Sequence, residues 1–397
     1  MKMVNRLLLI MANVLLLTCF SGYLNIHASH HQPVSESASL DLAENSKSAI
    51  LIERDTGKVL FEKNADESLP PASMTKIMTM LLIMEALDKG EITLEETVRV
   101  SENAASMGGS QIFLEAGEEM TVNDLLKGIA VASGNDASVA MAEKIAGSEK
   151  AFVELMNKKA KELGLKNTVF QNATGLPAEN HTSTAAEMAT MAKALLKYEN
   201  ITDYTSIYED YLREGKENEF WLVNTNKLVK FYDGVDGLKT GFTNEAKYCL
   251  TATAEKEGMR VIAVVMGAGS TKERNSDVSQ MLDYAYSKYA TKPLFEKNQS
   301  ITSFEWLKAD KQNVDIITND SISIVHQKGE DLSGIETKMK INQNISLPIK
   351  KGTTVGKLQV MQGGKVISET DLVLSEDMKK ASTFQLWKRT WRSLFSL

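Results

Sequence analysis

The chain has 397 residues, 43% hydrophobic and 24% charged, which is enough apolar material for two domains with packed cores. Its net charge of −7 is unevenly placed: residues 1–28 carry +2, residues 379–397 carry +5, and the body between them carries −14. The acidic body argues against nucleic-acid binding, and the basic tail points to an anionic surface.

The elements follow in chain order. Lys2 and Arg6 precede an apolar run from Leu7 to Leu17, and small residues follow with Ala28 as a cleavage position. Residues 1–28 therefore read as a secretory signal peptide. The run is short for a span, and an uncleaved anchor is the other reading. Cys19 lies in a poor lipoprotein-type context. Removal of the signal leaves Cys249 alone, with no internal disulfide and apolar neighbours that mark it as a buried small residue.

Residues 29–45 are a polar spacer, in which His30 and His31 read as solvated residues. Two apolar strands joined at Asp55-Thr-Gly57 form a hairpin. Pro70-Pro71 stops any strand, and a helix from Ser73 to Lys89 ends at Gly90. It is apolar nearly all round, as for a helix in the middle of a core. Helices are predicted at Val122–Ala132, Ala137–Ala146, Ala151–Leu163 and Ala185–Lys197, the last opened by the capping box Thr184-Ala-Ala-Glu187. Strands return after Gly234, with Tyr248–Ala254 and Met259–Gly267 joined as a hairpin, and a helix over Asn275–Tyr289 follows. This order predicts an α+β fold over residues 46–292, an antiparallel sheet with a helical block.

The pattern changes at Lys292-Pro293. Residues 293–378 carry short alternating runs (300–307, 314–318, 322–325, 336–341, 356–362, 365–374) and read as a small all-β domain. Residues 379–397 end the chain. There Phe384, Trp387, Trp391, Leu394 and Phe395 recur at helical spacing, with Lys388, Arg389 and Arg392 between them. This is the pattern of an amphipathic helix lying in a membrane interface, and docking on its own body is the other reading.

Three short strings carry chemistry. In Ser73-Met-Thr-Lys76, helical spacing puts a hydroxyl and an amine on one face. A serine needs a base to become a nucleophile, and lysine serves only if burial or another cation lowers its pKa. Ser133-Gly-Asn135 interrupts an apolar helix and can present Ser133 and Asn135 to a cleft. Lys239-Thr240-Gly241 starts a strand whose edge can pair with an extended peptide while Lys239 and Thr240 bind its terminal carboxylate. Each string alone is also an ordinary cap, turn or edge strand. The set of three in this order is the triple signature of active-serine acyl-transfer enzymes.

With Asn172-Ala-Thr-Gly-Leu-Pro and His181-Thr-Ser-Thr-Ala, these strings make the chain resemble the D-alanyl-D-alanine carboxypeptidases, the low-molecular-mass penicillin-binding proteins, over residues 40–380 at least. The resemblance implies a penicillin-binding or β-lactamase-like transpeptidase domain, then a β-rich domain and a C-terminal amphipathic helix. It implies Ser73 as the acylated nucleophile, Lys76 as proton acceptor, and Ser133 with Asn135 completing the catalytic cluster. Lys239, Thr240 and Gly241 would bind substrate, Phe242 would lend its backbone N–H to an oxyanion hole with that of Ser73, and Arg274 would hold the substrate carboxylate. No metal or cofactor is implied.

The implied partners are peptidoglycan stem peptides ending in D-Ala-D-Ala, β-lactams, and an anionic membrane surface met by residues 381–397. The implied place is the outer face of the bacterial cytoplasmic membrane. A class A β-lactamase needs a second carboxylate base, and residues 167–177 contain no Glu or Asp. A silent wall-binding protein is the other alternative. His-Glu-x-x-His is absent, so a zinc peptidase is unsupported, and Gly267–Lys272 lacks P-loop spacing.

Overall fold

The computed structural model describes residues 41–342 and 345–395; the expected signal peptide and most of the expected spacer lie outside them. Five antiparallel strands form the first sheet: β1 (Ser48–Glu53), β2 (Val59–Lys63), β7 (Val235–Thr243), β8 (Lys247–Lys256) and β9 (Met259–Ala268). Their spatial order is β2-β1-β9-β8-β7, so β7 is an edge. Both faces are buried, and the two-residue period divides them. Ile50, Ile52, Ile262, Val264 and Met266 face a block of helices. Leu51, Val261, Ala263 and Val265 face Val278, Met281 and Leu282 of one helix on the other side.

That block holds α1 (Lys76–Asp88), α2 (Val122–Ala132), α3 (Asn135–Ala146), α4 (Glu149–Glu162) and α5 (Ala185–Leu195). Between β4 (Glu119–Thr121), which pairs with β3 (Thr97–Arg99), and α2 there is no loop: Thr121 is both strand end and N-cap. The all-round apolar α1 lies in the middle of the core, with Met78, Met80 and Ile83 fully buried. Thr184 caps α5 by accepting from Glu187 N–H at 3.1 Å. The Glu187 carboxylate turns instead to Lys166 N–H, Asn167 N–H and the Thr168 hydroxyl.

Two expectations need correction, and one element was not foreseen. The helix predicted from Ser73 begins as a 3-10 turn over Ala72–Thr75, with α1 starting at Lys76. Pro71 precedes it, and Ala72 sits at φ +47. The helix after β9 is α6 (Thr271–Lys288), capped by Ser270, and begins earlier than its apolar pattern because its first turn is wholly polar. A hairpin of β5 (Glu209–Leu212) and β6 (Phe220–Val223) was not predicted.

From Tyr289 the chain is β-rich. Strands β10 (Tyr289–Phe295) and β13 (Ile322–Gln327) pair. The second five-stranded sheet has the order β11 (Ser300–Glu305), β12 (Asn313–Thr318), β16 (Lys365–Leu374), β15 (Thr354–Gln362), β14 (Ile335–Ile341). Its own core includes Val314, Ile324, Val355, Leu358, Val360 and Leu372. Strand β10 runs through Lys292-Pro293, so the change in sequence character falls inside a strand. Polar contacts tie the two regions: Ser323 Oγ donates to Asp55 Oδ2 at 2.9 Å, and Lys197 pairs with Asp320 at 3.1 Å. The chain ends in α7 (Thr383–Phe395).

Candidate active site

Ser73 stands in the 3-10 turn, where residues three apart eclipse one another. Lys76 Nζ accordingly lies 3.2 Å from Ser73 Oγ. The amine is fully buried and also reaches Asn135 Oδ1 and Thr174 O, each at 2.7 Å. Burial, and next the charge of Lys239, hold its pKa well below the ordinary lysine value. A neutral amine fits these contacts: its two N–H groups donate to Asn135 and Thr174, and its lone pair faces the serine hydroxyl.

The loop from Asn172 shapes this contact. The Asn172 Oδ1 accepts from Thr174 N–H and from Gly175 N–H, the latter at 2.7 Å, which turns the Thr174 carbonyl toward Lys76. Gly175, at φ +82, lies so near the serine turn that a Cβ there would sit 1.8 Å from Ala72 O. His181, from the same loop, bonds through Nε2 to Thr75 Oγ1 at 2.8 Å, while Nδ1 accepts from Gln171 N–H. Burial lowers its pKa to about 4, so the ring is neutral and donates to Thr75. The role of His181 was not read from the sequence; the Asx turn at Asn172-Ala-Thr-Gly was the available signal.

Ser133 ends α2 at φ +65, a left-handed position that turns the chain directly into α3. Its buried Oγ has no hydrogen-bond partner among the described residues, which leaves the hydroxyl available to a bound molecule. Asn135 is held on its other side, donating to Gly108 O at 2.6 Å. The buried Asp136 carboxylate accepts from Ile112 and Leu114 N–H, and Arg213 of the unpredicted hairpin donates to Ile112 O at 3.1 Å. The loop that holds Asn135 is thus gripped from both sides.

On β7, Gly241 passes against the serine turn, where a Cβ would lie 2.7 Å from Pro71 O. Lys239 is buried, donates to Thr240 O at 3.2 Å, and has its pKa lowered to about 7 by burial and then by Arg274. Thr240 Oγ1 donates to Thr225 Oγ1 at 2.7 Å. Arg274, on α6, is buried, donates to Asn275 Oδ1, and has its pKa lowered to about 10 by burial. Among the described residues no carboxylate pairs with Lys239 or Arg274. Two buried cations without a counter-ion form a site for an anion. Phe242 is half exposed and lies tilted against Tyr248, ring centroids 4.5 Å apart. The structure therefore brings Ser73, Lys76 and Asn135 into direct contact and places Gly241 against the serine turn.

Comparison with known proteins gives matching findings. The sequence family described as D-alanyl-D-alanine carboxypeptidase matches residues 33–270, and that described as penicillin-binding protein 5, C-terminal domain, matches residues 289–380. The chain is 60% identical over 350 residues to the D-alanyl-D-alanine carboxypeptidase DacF of Bacillus subtilis, covering 88% of this chain and 90% of that protein. Penicillin binding protein 5 from Haemophilus influenzae has a similar structure, with TM-score 0.66 and 30% identity, covering 85% of this chain and 98% of that one. Penicillin-binding protein D2 from Listeria monocytogenes, in its ampicillin-bound form, aligns at TM-score 0.55 and 30% identity over 61% of this chain and 98% of its own.

Proposed function

The chain belongs to the D-alanyl-D-alanine carboxypeptidase family of penicillin-binding serine peptidases, and from that premise we propose how its own residues remove the terminal D-alanine of a peptidoglycan stem peptide. The carrying observation is the buried Lys76 amine within 3.2 Å of Ser73 Oγ. Neutral Lys76 takes the hydroxyl proton as Ser73 Oγ attacks the carbonyl carbon of the penultimate D-Ala. The backbone N–H groups of Ser73 and Phe242 receive the developing oxyanion. Lys239, Thr240 and Arg274 bind the terminal carboxylate, and Gly241 lets the peptide lie close to the strand. The C–N bond breaks, and the proton on Lys76 passes through the Ser133 hydroxyl to the leaving amine. Water then hydrolyses the serine ester: it gives a proton to Lys76 and its hydroxyl to the acyl carbon, the bond from that carbon to Ser73 Oγ breaks, and Lys76 returns the proton to Ser73 Oγ. A β-lactam acylates the same oxygen: its ring C–N bond breaks, the nitrogen takes the proton, and the opened molecule stays attached to Ser73 as an ester.

The proposed layout is a signal peptide (1–28), a spacer (29–45), the peptidase domain (46–292), the β domain (293–378) and a membrane-surface helix (379–397). No helix among the described residues is long and apolar enough to cross a membrane. What supports surface binding is α7, where Phe384, Trp387, Trp391 and Leu394 are exposed, Phe384 stacks on Trp387, and Trp387 lies tilted against Trp391. Arg389, by contrast, donates to Leu307, Ala309 and Asp310 carbonyls and so occupies the docked face. The protein then acts at the outer face of the cytoplasmic membrane.

Release of free D-alanine from a peptide ending in D-Ala-D-Ala tests the reading. Release is expected from the wild type and its loss, together with loss of covalent penicillin labelling, in Ser73→Ala. Labelling that persists in that variant would refute Ser73 as nucleophile.

A further inference from the structure

Phe113 carries backbone strain beside the site. It lies at φ +56, a left-handed conformation that a bulky side chain keeps only where its surroundings impose it. Its own ring is exposed, so burial of that side chain does not supply the hold. Two contacts from the β5–β6 hairpin do. The Arg213 side chain, 3% exposed, donates to Ile112 O at 3.1 Å and to Phe113 O at 3.3 Å, while its Nε pairs with Glu118 at 2.5 Å. The Phe220 ring meets the Phe113 ring edge-on, centroids 5.4 Å apart.

The same loop holds Asn135. Ser110 O accepts from Asn135 N–H at 2.7 Å, and Gly108 O accepts from its side-chain amide at 2.6 Å. Asn135 Oδ1 in turn accepts from the Lys76 amine, which faces Ser73 Oγ. Loop 108–114 thus stands between the guanidinium and the base. The carboxylate-binding side is built elsewhere, with Lys239 and Thr240 on β7 and Arg274 on α6. Among the described residues the Arg213 guanidinium bonds to Glu118, Ile112 and Phe113, and to nothing on those two elements.

Resting on the reading of Ser73 and Lys76 as nucleophile and base, we propose that Arg213 is a positioning residue for acylation. Its guanidinium holds Phe113 in the strained conformation and so keeps the 108–114 loop closed on Asn135, which orients the Lys76 amine toward the serine. Lysine is no substitute, because one ammonium cannot reproduce a planar fork that meets two carbonyls and a carboxylate at once. Without the guanidinium the loop relaxes, Asn135 shifts, and proton transfer from Ser73 slows while carboxylate binding is kept.

Single-turnover acylation by a fluorescent penicillin tests this, since it separates the limiting rate from the half-saturating concentration. In Arg213→Ala the limiting rate is expected to fall about tenfold, with the half-saturating concentration within about twofold of wild type, because a reacting group is misplaced and no binding contact is removed. Methylguanidinium, at concentrations that leave the wild type unaffected, is expected to restore part of that rate by filling the vacated space. Arg213→Lys stays slow, and because it keeps a cation beside Glu118 it carries the test if the alanine variant does not fold. The fraction of protein labelled at completion reports folding separately from rate. An unchanged limiting rate overturns the proposal, as does a loss confined to the half-saturating concentration or to the labelled fraction, or a slow alanine variant that methylguanidinium leaves slow. Absence of labelling in the wild type sinks the serine-acylation reading itself, and this proposal with it.

Discussion

Lys76 and Lys239 are both buried, and the same physics serves two opposite ends. Desolvation disfavours each ammonium. Lys76 has two neutral acceptors at 2.7 Å and a neighbouring cation, an environment that yields a base. In the proposed reaction Lys239 must carry its charge to hold a carboxylate, and burial and then Arg274 oppose that charge, lowering its pKa to about 7. Activity in the free enzyme therefore has an alkaline limb near pH 7, because losing the proton of Lys239 removes a charge the substrate needs. In Arg274→Gln the repulsion is gone while the burial remains, so the Lys239 pKa rises and the limb moves to higher pH. The same variant loses a charged partner of the carboxylate, and kcat/KM near pH 6 falls about tenfold, mainly through KM. A pH profile of kcat/KM for both proteins checks this, and an unmoved limb would remove Lys239 as its source.

The loop 172–184 does for the site what no single helix does: it supplies the Thr174 carbonyl, His181 and the wall against the serine turn. Two of its neighbouring glycine positions separate backbone strain from space. Gly164 and Gly175 both lie at positive φ, +75 and +82, but a Cβ at Gly164 meets nothing within 4 Å whereas at Gly175 it meets Ala72 O at 1.8 Å. Gly164→Ala is expected to cost about 1 kcal/mol of left-handed strain and leave penicillin acylation unchanged. Gly175→Ala must push the Ala72–Thr75 turn aside, slowing acylation at least about a hundredfold on the principle that small misplacements of reacting groups are costly. Equal acylation rates for the two variants would show that the loop does not set the turn. Much of this architecture was legible beforehand, because the helices and long strands repeat their apolar residues at 3.6 or 2 positions: Val122–Ala132 agrees at both ends, and β8 and β9 agree within two residues. The 209–223 hairpin was not, since four-residue strands separated by charged residues leave no periodicity to read. Ser73, Lys76 and Asn135 could be grouped from the three strings, whereas Thr174 acts through its backbone and Arg213 through carbonyls a hundred residues away, contacts that no local pattern encodes.

At the scale of the whole molecule the charge is divided, with a body at −14 and a last segment at +5. A uniformly acidic protein is repelled by anionic lipid, so the proposed membrane-surface binding rests on the basic segment 379–397. In that proposal the exposed Phe384, Trp387, Trp391 and Leu394 of helix α7 would meet the headgroup region, and the basic residues of 379–397 other than Arg389 would meet the phosphates. The two contributions separate by salt. Vesicles containing anionic lipid are expected to bind the chain at least about tenfold more tightly than neutral vesicles at low ionic strength, with the difference fading as the Debye length drops below about 10 Å. Trp387→Ala/Trp391→Ala removes the apolar part, so its binding falls about tenfold or more on both vesicle types at every salt concentration. Arg389 donates to the Leu307, Ala309 and Asp310 carbonyls, and that double variant keeps these three hydrogen bonds. Unchanged vesicle binding in the tryptophan variant, or a loss of stability equal to that of removing Arg389, would instead make the stripe part of the protein's own packing.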